Sequence, residues 1–248
     1  MKSTARPIVL SVALAGFGAF ASVWVVVWLL RGSYPTALII LGLAIWAFGF
    51  ALFFLFTTLG ATRPRIEVDG AGILLRPGTF VDTVFIVSTV AITIVAALYL
   101  ILSPLGMIDY VPTGAAGRSA PVGCIVLLLF GVPTLFRTLM HRGSGHLHLG
   151  PAGFGVWNAQ WGSFRHGSWE DVEQILDQPI RGPEPPHDVI VFVLNNKRSV
   201  TLVADAVTDN TDALLEWVRF YWQHPEHRDE LVDERGLRRL EEVSLTSE

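Results

Sequence analysis

Four long stretches of this chain are almost free of charge: Ile8–Leu30, Thr36–Leu59, Thr83–Leu102 and Pro121–Phe136, the last running on through Arg137 to Met140. A helix rises 1.5 Å per residue, so about 20 apolar residues cross the roughly 30 Å hydrocarbon core. The pattern therefore predicts four transmembrane helices. The first run is longer than the apolar core of a signal peptide and no small-x-small site follows Leu30, so it reads as a retained span. Arg31 to Pro35 forms a tight turn that makes the first two spans an antiparallel pair. Ser11, Ala15 and Ala19 in the first span and Gly42 and Gly49 in the second are small residues at helix-face spacing, suited to close packing within the bundle. Ser88, Thr89 and Thr93 suit hydrogen bonds within their own helix or to a neighbour, and Gly131 with Pro133 predicts a kink in the fourth span.

Outside these runs the period changes. RIEVDGAGILLR alternates around Asp69-Gly70-Ala71-Gly72 and predicts a β-hairpin. LHLGPAGFGVW repeats the arrangement: Ile66, Val68 and Ala71-Gly72-Ile73 match Leu147, Leu149 and Ala152-Gly153-Phe154 at identical spacing. Each pair of spans is thus followed by a similar hairpin, a short internal repeat. The segment from Trp157 to Leu176 reads as strand, bend, strand. Val189–Leu194 is apolar on both faces and predicts a central strand, whereas Val200 to Val203, beyond a polar Asn195–Arg198 turn, sits nearer an edge. Leu214, Val218 and Tyr221 fall on one helix face, with Asp212, Glu216, Arg219 and Gln223 opposite. Thr211 or Asn210 suits the cap of this 211–223 helix, and Pro225 ends it. EHRDELVDERGLRRLEEV predicts one more charged helix, weakened at Gly236, with Ser244–Glu248 frayed. The 66–75 hairpin is expected to lie against residues 145–223, since a lone hairpin is marginal in water.

Composition agrees with a membrane protein: the 248 residues are 51% hydrophobic and 16% charged, and the mean hydropathy is +0.48. Lys2, Arg6, Arg63, Arg65, Arg76, Arg137 and Arg142 flank the spans on one side against Arg31 and Arg118 on the other. The positive-inside rule then predicts an inner-membrane protein with both termini cytoplasmic. Residues 1–142 carry a net +5 and residues 143–248 a net −9. An acidic cytoplasmic part argues against nucleic acid as a partner. The single cysteine, Cys124, excludes a disulfide framework.

The strand pair LHLGPAGFGVW, the tryptophan-led GSWEDVEQI, the hairpin VIVFVLNNKRSVTLV and the closing helix DALLEWVRFYW together resemble the small PH-like domains that bacteria attach to transmembrane helix pairs. The resemblance covers about residues 145–223. It implies an α+β membrane protein: a four-helix transmembrane bundle with a small cytoplasmic PH-like β-sandwich closed by a C-terminal helix. The expected divisions are 1–60, a first helix pair; 61–82, a hairpin; 83–142, a second pair; 143–224, the PH-like domain; and 225–248, a charged tail. Only Lys197 and Arg198 form a basic pair in a strand turn, so the phosphoinositide-binding pattern of PH domains is not implied.

Candidate chemistry is sparse. His146 and His148, with His141 and His166 nearby, place imidazoles within reach of a metal, but residues 141–166 contain no Cys and no carboxylate to complete a site. Glu170, Asp171, Glu173 and Asp177 read as a solvated face. No phosphate loop, zincin helix or nucleophile elbow occurs. No metal or cofactor is expected, and the chain is read as a non-enzyme that docks a partner protein or a second copy at the membrane. Trp157, Trp161 and Trp169 suit the core of a small sandwich, and Trp217, between Leu214 and Tyr221 on the helix face, is expected to be buried; all four are also candidate contacts, since aromatic residues anchor interfaces. The alternative is a lipid-contacting accessory factor in which Arg63, Arg65, Arg137 and Arg142 hold anionic headgroups; a membrane enzyme or transporter subunit ranks third.

Overall fold

The uncharged runs form helices: α1, Ala5–Leu30; α2, Tyr34–Thr58; α3, Thr79–Leu102; and α4, Gly114–Met140. All four are long and apolar enough to cross a membrane. The computed structural model describes residues 5–59, 64–110, 114–141, 143–158, 163–179, 188–196, 198–205, 207–208 and 210–246. The chain divides into a helical unit, residues 5–55 and 83–140, and a second unit built from residues 56–82 and 141 onward.

In the helical unit the glycines of α2 serve α3. A Cβ at Gly42 would stand 2.3 Å from Val95 Cγ2, and one at Gly49 would stand 1.8 Å from Ser88 Oγ. Ser11 of α1 reaches α2 by donating to the Ala51 carbonyl at 2.7 Å. Ser88, Thr89 and Thr93 each donate to the carbonyl four residues back in their own helix. The turn between α1 and α2 is closed by Gly32, whose φ of 78° lies in the left-handed region. The helix α4 runs unbroken through Pro121 and Pro133.

The second unit contains two antiparallel sheets. Five strands, β1 (Arg65–Asp69), β2 (Gly72–Arg76), β3 (Gly145–Gly150), β4 (Gly153–Asn158) and β5 (Ser163–Ser168), pair in that order. Three more, β6 (Val172–Leu176), β7 (Val189–Leu194) and β8 (Ser199–Val203), form the other sheet with β7 central. The 66–75 hairpin thus does more than lie against the later strands. It joins their sheet, Ile73 pairing with Leu149 and Leu75 with Leu147.

The repeated spacing has a structural counterpart. Asp69 pairs with Gly72 across Gly70-Ala71, and Gly150 with Gly153 across Pro151-Ala152. A Cβ at Gly72 would meet the Leu149 carbonyl oxygen at 2.2 Å, and one at Gly153 would meet that of Gly167 at 2.1 Å. Both glycines open their second strand where the next strand crowds in.

Alternation decides the core. Ile73, Leu75, Leu147, Leu149, Phe154 and Val156 face the second sheet, whose Ile190, Phe192, Val200 and Leu202 complete the cluster. Phe154 stacks on Phe192 at 4.4 Å between ring centroids. Helix α5 (Thr211–Gln223) adds Leu214, Trp217, Val218 and Tyr221 to the same core. Asn210 caps it by accepting from the Ala213 amide at 2.9 Å.

The charged C-terminal segment is not one helix. A 3-10 stretch, Pro225–Val232, precedes α6 (Glu234–Thr246). The break falls at extended Asp233, whose carboxylate accepts from the Arg235 amide at 2.8 Å. Gly236 is no weak point: it lies within α6 and is buried, its would-be Cβ 2.6 Å from Ile73 Cδ1. Nor does the helix fray at Ser244, which donates to the Leu240 carbonyl; α6 continues to Thr246, and residues 247–248 lie outside the described residues. Glu230 folds inward, accepting both Arg239 nitrogens at 2.8 Å and the Tyr221 hydroxyl at 3.1 Å.

Candidate functional site

A polar cleft opens between β5, the 3-10 turn Trp169–Asp171 and the β7–β8 turn, with a volume of about 660 Å³. Its frame is fixed by backbone chemistry. Ser168 caps the 3-10 turn, accepting from the Glu170 amide. Asn195 ties the β7–β8 turn to it, its amide donating to the Asp171 carbonyl at 2.9 Å and its side chain to the Glu170 carbonyl at 3.1 Å. Asn196 accepts from the Arg198 amide at 3.0 Å. Asp171 also lines the cleft, and so do two arginines, Arg165, across the sheet from Val156, and Arg198, both exposed. Among the described residues neither has an acidic side chain within ion-pair distance. Other arginines of the unit are engaged, Arg228 with Glu170, Arg235 with Asp229 and Asp233, and Arg239 with Glu230.

The cleft borders an unfinished sheet. Among the described residues β5 pairs only with β4, so its outer edge carries unpaired backbone groups. Phe164 on that strand is 44% exposed, and His141 stacks on it at 4.7 Å.

The tryptophans expected as partner contacts are core residues. Trp157, Trp169 and Trp217 are at most 1% exposed. Each Nε1 donates to a backbone carbonyl, of Gly143, Gly150 and Gly236 respectively. With the ring covered and the donor satisfied they offer a partner no area; Trp161 lies outside the described residues.

The arginines expected at lipid headgroups are not brought together. Arg65 donates to Asp82 at 2.5 Å and to the Pro77 carbonyl at 3.1 Å. Asp82, 5% exposed, also accepts from the Ser144 amide at 2.9 Å and its hydroxyl at 2.5 Å. Arg65 is therefore tied into a polar cluster around Asp82, its own side chain remaining 39% exposed. Arg137 is exposed in the last turn of α4, and Arg63 and Arg142 lie outside the described residues.

Nor do the histidines form a metal site. Among the described residues no group of three or more His, Cys, Asp or Glu could hold a metal ion. His141 packs on Trp157 at 4.3 Å. His146 is pushed down to about 4 by burial, helped by Arg76, His141 and His148.

The sequence carries little signal for the cleft. GSFRHGS is a polar strand with no apolar alternation, so nothing marks Arg165 as facing another sheet. Arg198 reads in sequence only as part of a basic turn. Comparison with known proteins found no matching family model, no matching curated protein and no matching solved structure.

Proposed function

We propose that this is a non-enzymatic, multi-pass inner-membrane protein whose second unit, a PH-like module on the cytoplasmic side, docks a partner protein along β5. The observation that carries this reading is made of the described residues: the outer edge of β5 has no strand partner and runs beside a cleft whose two arginines have no acidic partner and share it with Asp171. An extended acidic segment added to β5 would pair its backbone with that edge, and alternate side chains would face Arg165 and Arg198. In a part of the chain with net charge −9, such a local basic site sets where an acidic partner can approach. The PH-like reading draws support from two antiparallel sheets followed by a helix that completes their core. Headgroup binding by the juxtamembrane arginines draws less support, because Arg65 is already held by Asp82.

The test is purification of the full chain from its native membrane in mild detergent, followed by mass spectrometry of the intact complex. A stoichiometric protein companion should accompany the wild type and be lost from Arg165→Glu/Arg198→Glu, with thermal unfolding unchanged. Retained lipid and no protein companion would overturn the proposal. A companion indifferent to the double substitution would move the docking surface off β5.

A further inference from the structure

A second concavity lies in the helical unit, independent of the docking proposal. It has a volume of about 470 Å³ and is walled by α1, α2, α3 and the segment that follows α3. Phe20, Trp24 and Trp28 line it as a ladder along α1, their rings 6.2 and 6.5 Å apart. Helices that merely face lipid present a convex apolar surface. This surface is concave, and hydrocarbon will fill it.

Filling by hydrocarbon alone selects nothing, because lipid tails are as apolar as the walls. Selection comes from the polar groups at one end. Trp28, Thr36 and Tyr99 line the groove, each within a turn of a helix end. Among the described residues the Tyr99 hydroxyl is buried without a hydrogen-bond partner, and a buried donor left unpaired is unfavourable. Arg31 stands over the Trp28 ring at 5.1 Å and, among the described residues, has no acidic partner. Asp109 shares this rim: it accepts from the Ser33 hydroxyl, and its amide donates to the Thr36 hydroxyl at 3.1 Å. The rim thus holds one cation and one anion that do not neutralise each other.

We propose that the groove binds one ethanolamine glycerophospholipid. One acyl chain lies along the aromatic ladder, and an ester carbonyl, which sits where hydrocarbon gives way to headgroup, accepts from the Tyr99 hydroxyl. The phosphate meets Arg31 and the ammonium meets Asp109. A zwitterionic headgroup uses both rim charges, whereas a purely anionic one would meet the Asp109 carboxylate unpaired.

The experiment uses the full chain, stripped of lipid by detergent exchange and reconstituted into nanodiscs of equimolar phosphatidylethanolamine and phosphatidylglycerol with identical acyl chains. After re-extraction in mild detergent, retained lipid is quantified by mass spectrometry. One charge-assisted contact corresponds to roughly tenfold in retention, so phosphatidylethanolamine should be enriched by about that factor. Asp109→Asn keeps a group able to accept from Ser33 yet should abolish the preference. Arg31→Gln should reduce retention of both lipids, and so should Tyr99→Phe, with the preference intact. Circular dichroism melting confirms that each variant is folded. Lipids retained in the bulk ratio by the wild type, a preference for phosphatidylglycerol, or an unchanged preference in Asp109→Asn would each overturn the proposal.

Discussion

Trp217 shows what one side chain contributes to the second unit. Its ring is fully buried, meets Tyr221 edge to face at 5.4 Å, and donates to the Gly236 carbonyl at 2.9 Å. Truncating a buried Trp costs about 3–5 kcal/mol, comparable to the stability of a small unit. Trp217→Ala should therefore expose residues 141–246 to protease while the helices stay inserted; a variant as resistant as the wild type would refute the packing argument. Two titrating residues add a pH dependence. The hydrogen bonds from Arg239 lead in pulling Glu230 down from its ordinary 4.5 to about 2, so its stabilisation is complete above the unfolded value and is lost as pH falls from about 4.5 toward 2. His146, lowered from 6.5 to about 4 chiefly by burial, resists charging in the folded state; its contribution is lost as pH falls from about 6.5 through 4. Unfolding followed against pH should show both losses in the acid direction, with His146→Gln removing the upper one and Glu230→Gln the lower. Sequence periodicity indicated that Trp217 is buried, but it could not separate core from contact for Trp157 and Trp169. An aromatic ring suits either role, and only its neighbours decide.

Among elements, the repeated hairpins were the most legible, because alternation around a glycine-bearing turn is visible in sequence. The repeat extends to how the chain packs. Gly72→Val and Gly153→Val each drive a Cβ into a neighbouring carbonyl oxygen, and each should destabilise the sheet by about 1–3 kcal/mol or more, the usual range for overpacking. Gly70→Ala, with nothing within 4 Å of its would-be Cβ, should be near neutral; equal melting shifts at positions 70 and 72 would refute the close-approach account. The 3-10 stretch Pro225–Val232 was not legible. Its apolar anchors are few, and its one buried carboxylate, Glu230, reads in sequence as another solvated charge. Asp82 is illegible for a related reason. It sits just before a charge-free run, and its partners Arg65 and Ser144 are 17 and 62 residues away.

For the whole molecule, the order of the chain constrains topology. Strand β2 precedes α3, strand β3 follows α4, and the two pair side by side. Strands can pair only on one side of a bilayer, so α3 and α4 cross it both or not at all. In a Cys124→Ser background, Glu67→Cys and Glu241→Cys should therefore react with a membrane-impermeant maleimide from the same face; labelling from opposite faces would contradict the sheet. The interleaving also sets a schedule during synthesis. When β1 and β2 leave the ribosome, their strand neighbour does not yet exist, and Ile73 and Leu75 must wait uncovered until another helix pair has been threaded. A nascent chain that loses either crossing delivers β3 to the wrong compartment and leaves that hairpin permanently orphaned. The inner face of that hairpin can therefore be covered only after both crossings have succeeded, so the sheet and the helix pair between its halves stand or fall together.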